Sequence, residues 1–94
     1  MGTFHDHSKM GSNHGMSVVI DTRGPTIYAG QCHEERDDVV ILTNADVLDT
    51  SLPESKSKEE FVSFVARFGV HSRHARVSVP RTEIVSFRLL KDLR

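Results

Sequence analysis

The sequence predicts a small, mostly-β domain in which five strands roll into a barrel and one helix is inserted between the third and fourth strands. Three observations carry this reading. Ser17 to Leu48 holds three strand-like runs separated by two turn signals, Gly24-Pro25 and the charged run Glu34-Glu35-Arg36-Asp37-Asp38, as in an antiparallel meander. Ser57 to Gly69 changes to a helical period. Ala75 to Leu89 then returns to alternation, broken at Pro80-Arg81-Thr82.

The first strand is expected over Ser17 to Asp21, the second from about Thr26 to His33 and the third from about Val39 to Val47. In the second, Ile27, Ala29 and Gln31 share one face, while Tyr28, Gly30 and Cys32 share the other. A mid-strand glycine weakens a strand unless it permits a bulge or sharp bend, so Gly30 marks the place where the sheet curls. The third strand is apolar on both faces at Val39, Val40, Ile41 and Leu42, so its outer face calls for a helix or a second subunit as cover.

A polar connection from Asp49 to Lys58 leads to the helix. Ser57 is placed to cap it, with Glu60 three residues on completing a capping box. Phe61, Phe64, Val65 and Phe68 fall at i, i+3, i+4 and i+7, so the helix is expected to bury three phenylalanines against the barrel and to plug the apolar interior that the strands share. Gly69 stands where a left-handed C-cap is wanted. Beyond it, Ala75, Val77 and Val79 alternate with Arg76 and Ser78, and after the Pro80 turn Val85, Phe87 and Leu89 alternate with Ile84, Ser86 and Arg88. These last two strands are expected to form a sharply bent hairpin.

The chain of 94 residues fits a single domain over residues 16–94, with a small core and correspondingly marginal stability or help from a partner subunit. Residues 1–15, rich in Gly, Ser, His and Asn, read as a disordered leader or as appended residues ahead of a start near Met16. The longest apolar run, Val39 to Leu42, is far short of the ~20 residues of a membrane span, so no membrane partner is expected. With one cysteine, Cys32, and no apolar signal segment, a reducing cytoplasm is the expected compartment.

Charge is unevenly distributed. Residues 1–66 carry five Lys/Arg against eleven Asp/Glu, whereas 67–94 carry seven against two. Either the basic third forms a patch for phosphate or an acidic partner, or strands from the two halves interleave and the charges cancel in space.

Chemistry-bearing pairs are few. Cys32 and His33 are neighbours on a strand and point to opposite faces, so they cannot share a proton directly. His5, His7 and His14 have no Cys or carboxylate cluster to complete a metal set. Asp37-Asp38 and Asp46 with Asp49 read as turn carboxylates without a third ligand. No catalytic residue, metal or cofactor is assigned, and no enzyme is expected. The densest basic cluster, His71, Arg73, His74 and Arg76, is the best candidate contact surface.

Two motifs carry a resemblance. Gly30, the acidic turn and Val39-Val40-Ile41-Leu42-Thr43-Asn44-Ala45 resemble the first Sm motif, and Val77-Ser78-Val79-Pro80-Arg81-Thr82-Glu83-Ile84-Val85-Ser86 resembles the second. The resemblance implies the Sm/LSm type of SH3-like five-stranded barrel. Asp21-Thr22, Tyr28-x-Gly30, Ala45-Asp46-Val47 and Glu83-Ile84-Val85-Ser86 also resemble a family of short bacterial proteins without a settled activity. Members of that family often have a histidine where this chain has Leu48. Sm proteins that hold uridine-rich RNA use an asparagine-bearing loop and an Arg-Gly turn. Here the first loop has four carboxylates and Arg81 follows Pro80 with no glycine. Arg36 and Arg81 are the two positions that carry over.

The expectation for function is a non-enzymatic Sm-like barrel that acts by assembly or binding. RNA or another polyanion would meet Arg36, Arg67, Arg73, Arg76 and Arg81, and edge strands would pair into a homo-oligomer. The alternative is a purely protein–protein interaction module with no nucleic acid.

Overall fold

A computed structural model describes residues 13–94. The strands are β1 (Ser17–Thr22), β2 (Thr26–Glu35), β3 (Val39–Asp49), β4 (His74–Pro80) and β5 (Ile84–Leu89), with helix α1 (Lys58–Phe68) between β3 and β4. All neighbouring strands are antiparallel, in the order β4-β3-β2-β1-β5. The expected element order, including the inserted helix, is therefore observed.

The expected hairpin of the last two strands is not formed. Among the described residues β4 pairs with β3, β5 pairs with β1, and the two stand at opposite ends of the sheet, which is not closed by hydrogen bonds. The connecting segment explains why. Arg81–Glu83 is a 3-10 turn. Its start is held by the Arg81 N–H donating to the Asp38 carbonyl at 2.9 Å, and its end by the Arg23 N–H donating to the Glu83 carbonyl at 2.9 Å. The chain thus passes from the β2–β3 turn to the β1–β2 turn and enters β5 beside β1.

Gly30 marks the bend, as its place in the strand implies. The β2–β3 register shifts between Ala29 and Gln31, and Asn44 opposite has φ 49, the left-handed conformation of a bulge residue. The strands cross so closely that a Cβ on Gly30 would stand 2.9 Å from Ala45 Cβ and 3.2 Å from the Thr43 carbonyl oxygen. The bulge also resets parity in β3. Val40 and Leu42 lie on one face, and the extra residue brings Ala45, rather than Asn44 or Asp46, onto that same buried face.

Two apolar clusters occupy the two faces of the sheet. Val18, Ile20, Cys32, Val40, Leu42, Ala45 and Val79 form one, joined by Tyr28, Val77, Ile84, Phe87 and Leu89, so all five strands contribute. Val19, Ile27 and Ala29 form the other with Phe61 and Val65 of α1 and Leu90 beyond β5. The alternation read for β2 matches this division.

The helix therefore does not plug the five-strand cluster; it covers the opposite face of β1 and β2. Its buried stripe is Phe61 and Val65, flanked by Val62 and Ala66, while Phe64 is 39% and Phe68 70% exposed. The expectation of three buried phenylalanines is corrected to one, because the stripe is turned toward Val62 and Ala66. The start of α1 forms as expected: the Glu60 N–H donates to Ser57 Oγ at 3.1 Å and the Ser57 N–H to Glu60 Oε1 at 2.8 Å. At its end Gly69 takes φ 87 with ψ 177, a positive φ but an extended ψ, and donates its N–H to the Val65 carbonyl.

Two further expectations change. Ile41 is only 3% exposed and Val39 is half-buried, so that face of β3 needs no second subunit to cover it. A register shift against Asp21 and Thr22 in β5 puts Ile84 with Phe87 in the five-strand cluster and leaves Val85 57% exposed. Of the segment read as a leader, residues 13–15 make a turn in which the Gly15 N–H donates to the Cys32 carbonyl at 2.7 Å. The remainder, with His5 and His7, lies outside the described residues.

Gly30→Ala is expected to cost about 1–3 kcal/mol in urea unfolding, because two backbones must separate to admit one methyl group. Gly24→Ala, where an added Cβ meets nothing within 4 Å, should stay within about 0.5 kcal/mol of the parent.

Candidate functional site

Arg36 and Arg81 meet at the β2–β3 turn. A second register shift, between Cys32 and Glu34, sends Glu34 to one face of β2 and Glu35 to the other, beside Cys32. Arg36 Nε donates to Glu34 Oε2 at 2.8 Å and its Nη2 to Oε1 at 3.3 Å. This hydrogen-bonded pair holds the half-buried Glu34 carboxyl below its ordinary range. Arg81 Nε donates to the Arg36 carbonyl at 2.6 Å, and Arg81 Nη2 lies 3.8 Å from Glu35 Oε1. The other Glu35 oxygen, Oε2, is buried and has no hydrogen-bond partner among the described residues. The two arginines carried over from the Sm resemblance are thus brought together, each facing a carboxylate.

The other three spread out. Arg76 of β4 pairs with Thr43 of β3, and its charge reaches Glu34. Arg73 donates its backbone N–H to the Ala45 carbonyl at 3.0 Å, with Nε 3.9 Å from Asp46 Oδ1 and Nη2 3.3 Å from His71 Nδ1. Arg67 stands in the last turn of α1, its guanidinium 5.6 Å from the Phe68 ring centre. Among the described residues no hydrogen bond or ion pair links it to the other four. Three of the five arginines therefore lie within 4 Å of a carboxylate, which is the spatial cancellation that the charge distribution allowed.

The remaining chemical candidates resolve into structural roles. Asp46 Oδ1 accepts from the Val47 N–H. Asp49 Oδ1 accepts from both the Ser51 hydroxyl and N–H, which hold that carboxyl below its usual range. His14 and His33 approach, with ring centres 5.6 Å apart and His14 Nδ1 2.6 Å from the His33 carbonyl oxygen. Among the described residues no group of three potential metal ligands converges. Cys32 is fully buried, and its thiol is pushed up to about 11 by burial first and by the Glu35 carboxylate second.

Three features escaped sequence reasoning. The first is Lys58, whose Nζ donates to Asp21 Oδ1 at 2.6 Å, the Gly24 carbonyl at 2.7 Å and the Thr22 carbonyl at 2.9 Å. All three ammonium protons are thereby used, and the helix start is tied to the β1–β2 turn. The second is the exposed pair Phe64 and Phe68, ring centres 5.0 Å apart, with Lys56 Nζ 4.6 Å from the Phe64 ring. The third is a groove of about 660 Å³ between the first turns of α1 and the sheet, with Arg88 on its wall. None has a local signal, since each joins residues distant in sequence or depends on how α1 is rotated.

No helix among the described residues is long and apolar enough to cross a membrane. Comparison of the chain with protein-family models, with curated proteins and with solved structures finds no match.

Lys58→Met keeps the stem and removes the three donors; it is expected to cost about 1–2 kcal/mol, the value for hydrogen bonds to a charged group reduced for partial exposure. Thermal melting of the variant beside the parent reads this. Cys32 is expected to resist a thiol-specific disulfide reagent at pH 8 in the folded chain and to react at once in urea. Because its folded pKa is raised, its contribution to stability is complete below the ordinary thiol pKa and is lost as pH rises through about 11. A flat melting temperature across that rise would refute the assignment.

Proposed function

We propose that this chain is a non-enzymatic assembly or binding module built on an Sm-like, SH3-like barrel, and that it works by contact with protein chains through its open sheet edges. The single observation that carries the reading is the strand order, which puts β4 and β5 at the two ends of one sheet with no strand beyond either among the described residues. Edge strands present unpaired N–H and C=O groups at every second residue and are templates for strand addition. That β4 and β5 feed one apolar cluster supports a barrel-like curl. A buried thiol in place of a disulfide suits a reducing cytoplasm.

The polyanion form of the same proposal would use His71, Arg73, His74 and Arg76, with Arg36, Arg67 and Arg81. The carboxylates beside Arg36, Arg73 and Arg81 oppose the approach of phosphate, which gives the protein-contact form precedence.

Titration of uridine-rich single-stranded RNA by fluorescence anisotropy tests this choice. The expected result is no saturable binding up to about 100 µM at physiological salt, the weak end of non-specific affinity. Binding that falls steeply with salt and is weakened by Arg81→Ala would overturn the protein-contact form. Light scattering at micromolar concentration reads which chain occupies the edges. A mass above the 10.6 kDa of one chain gives the homo-oligomeric form, and a strict monomer removes it.

A further inference from the structure

We propose that the groove between the first turns of α1 and the sheet, with Arg88 of β5 on its wall, is the docking site for an extended, acidic peptide segment of another protein, which adds to the open edge of β5 and sets a carboxylate on Arg88. The inference rests on the reading of the sheet edges as working surfaces and names the partner for one of them.

The groove has an apolar floor of Ile27 and Val62, with Lys58, Ser63, Thr50 and Arg88 around it. Its two cations differ. The ammonium of Lys58 spends its three protons on Asp21, Thr22 and Gly24, and so neutralises the Asp21 carboxylate that also borders the groove. Arg88 is exposed and makes no hydrogen bond or ion pair with any described residue. An unengaged guanidinium beside an apolar floor is suited to a carboxylate, which it can hold through two parallel N–H···O bonds.

Register decides how that carboxylate arrives. Arg88 pairs with Val19, whose side chain lies on the helix-covered face, so Arg88 projects on the α1 side of the sheet. A strand laid along β5 would meet the outward backbone groups of Ile84–Leu89 and turn alternate side chains toward that face. The residue opposite Arg88 then enters the groove mouth.

Charge selects the occupant. Residues 84–94 carry Arg88, Lys91 and Arg94 against Asp92 alone, so the β5 edge and the turn after it attract an acidic strand. A second copy presenting β4 would bring His74 and Arg76 to this basic edge, which disfavours it. Glu59 on the helix wall of the groove opposes dense negative charge, so the site accepts a single acidic side chain and rejects a phosphate backbone.

The test is a titration of the isotope-labelled full chain, followed by backbone amide NMR, with a short acetylated peptide of alternating Val and Thr bearing one central Glu. Saturable shifts along Ile84–Leu89 are expected, with affinity lower by about tenfold or more when the central residue is Lys. Arg88→Glu should invert that preference while leaving the spectrum of the free chain otherwise unchanged. No saturable shift at millimolar peptide, shifts confined to β4, or an equal response to N-acetylglutamate alone would each overturn the proposal; the last would make the groove a site for small carboxylates. The RNA titration above decides the protein-contact reading independently, so the failure of one is distinguishable from the failure of the other.

Discussion

The close crossing of β2 and β3 at Gly30 is the constraint from which the rest of the molecule follows. In an unbroken β3 the period of two would place Asn44 and Asp46 on the same face as Val40 and Leu42. The extra residue at Asn44, in a conformation that asparagine tolerates, exchanges those polar side chains for Ala45. It also sends Leu48 to the opposite face, where it packs near Ile27 and the helix. One insertion thus lets a single long strand serve two apolar clusters. Glycine is required opposite, because no side chain fits between the backbones there.

Two clusters on two faces also explain how so short a chain is stabilised. The five-strand cluster has no large aromatic at its centre; it is built from Val, Ile, Leu, Cys and Ala, with Tyr28 and Phe87 at its margin. The helix, which in an interior position would have been a plug, is a lid over the outer face of β1 and β2. It is held there by Phe61 and Val65 and by the Lys58 clamp at its first residue. A lysine with three acceptors joins helix, strand and turn, and does so without burying an unpaired charge.

The arginines show the same economy of charge. Arg36 and Arg81 organise the β2–β3 turn and the β4–β5 connection, one through its bond to Glu34 and the other through its bond to the Arg36 carbonyl. Each of these two arginines also faces a carboxylate, Glu34 for Arg36 and Glu35 for Arg81. Arg88, which sequence patterning placed on one strand face with Ile84 and Ser86, has no hydrogen-bond or ion-pair partner among the described residues and stands beside a groove. The availability of a charge depends on what lies next to it in space.

Particular elements show where sequence reasoning reached and where it stopped. The five strands, the helix, its capping box and the bend at Gly30 were legible, because each depends on residues within a few positions of one another: alternation, a Ser-x-x-Glu spacing, a lone glycine in an apolar run. The candidate arginines were legible as residues but not as a site, since pairing with Glu34, Glu35 and Asp46 depends on strand register. The destination of β5, the face that α1 buries, the turning outward of Val85 and the Lys58 clamp were decided only in the tertiary structure. Sequence by itself determined local conformation through short-range sterics and hydrogen bonding; long-range packing and two register shifts, which no local pattern encodes, determined which surfaces are left open.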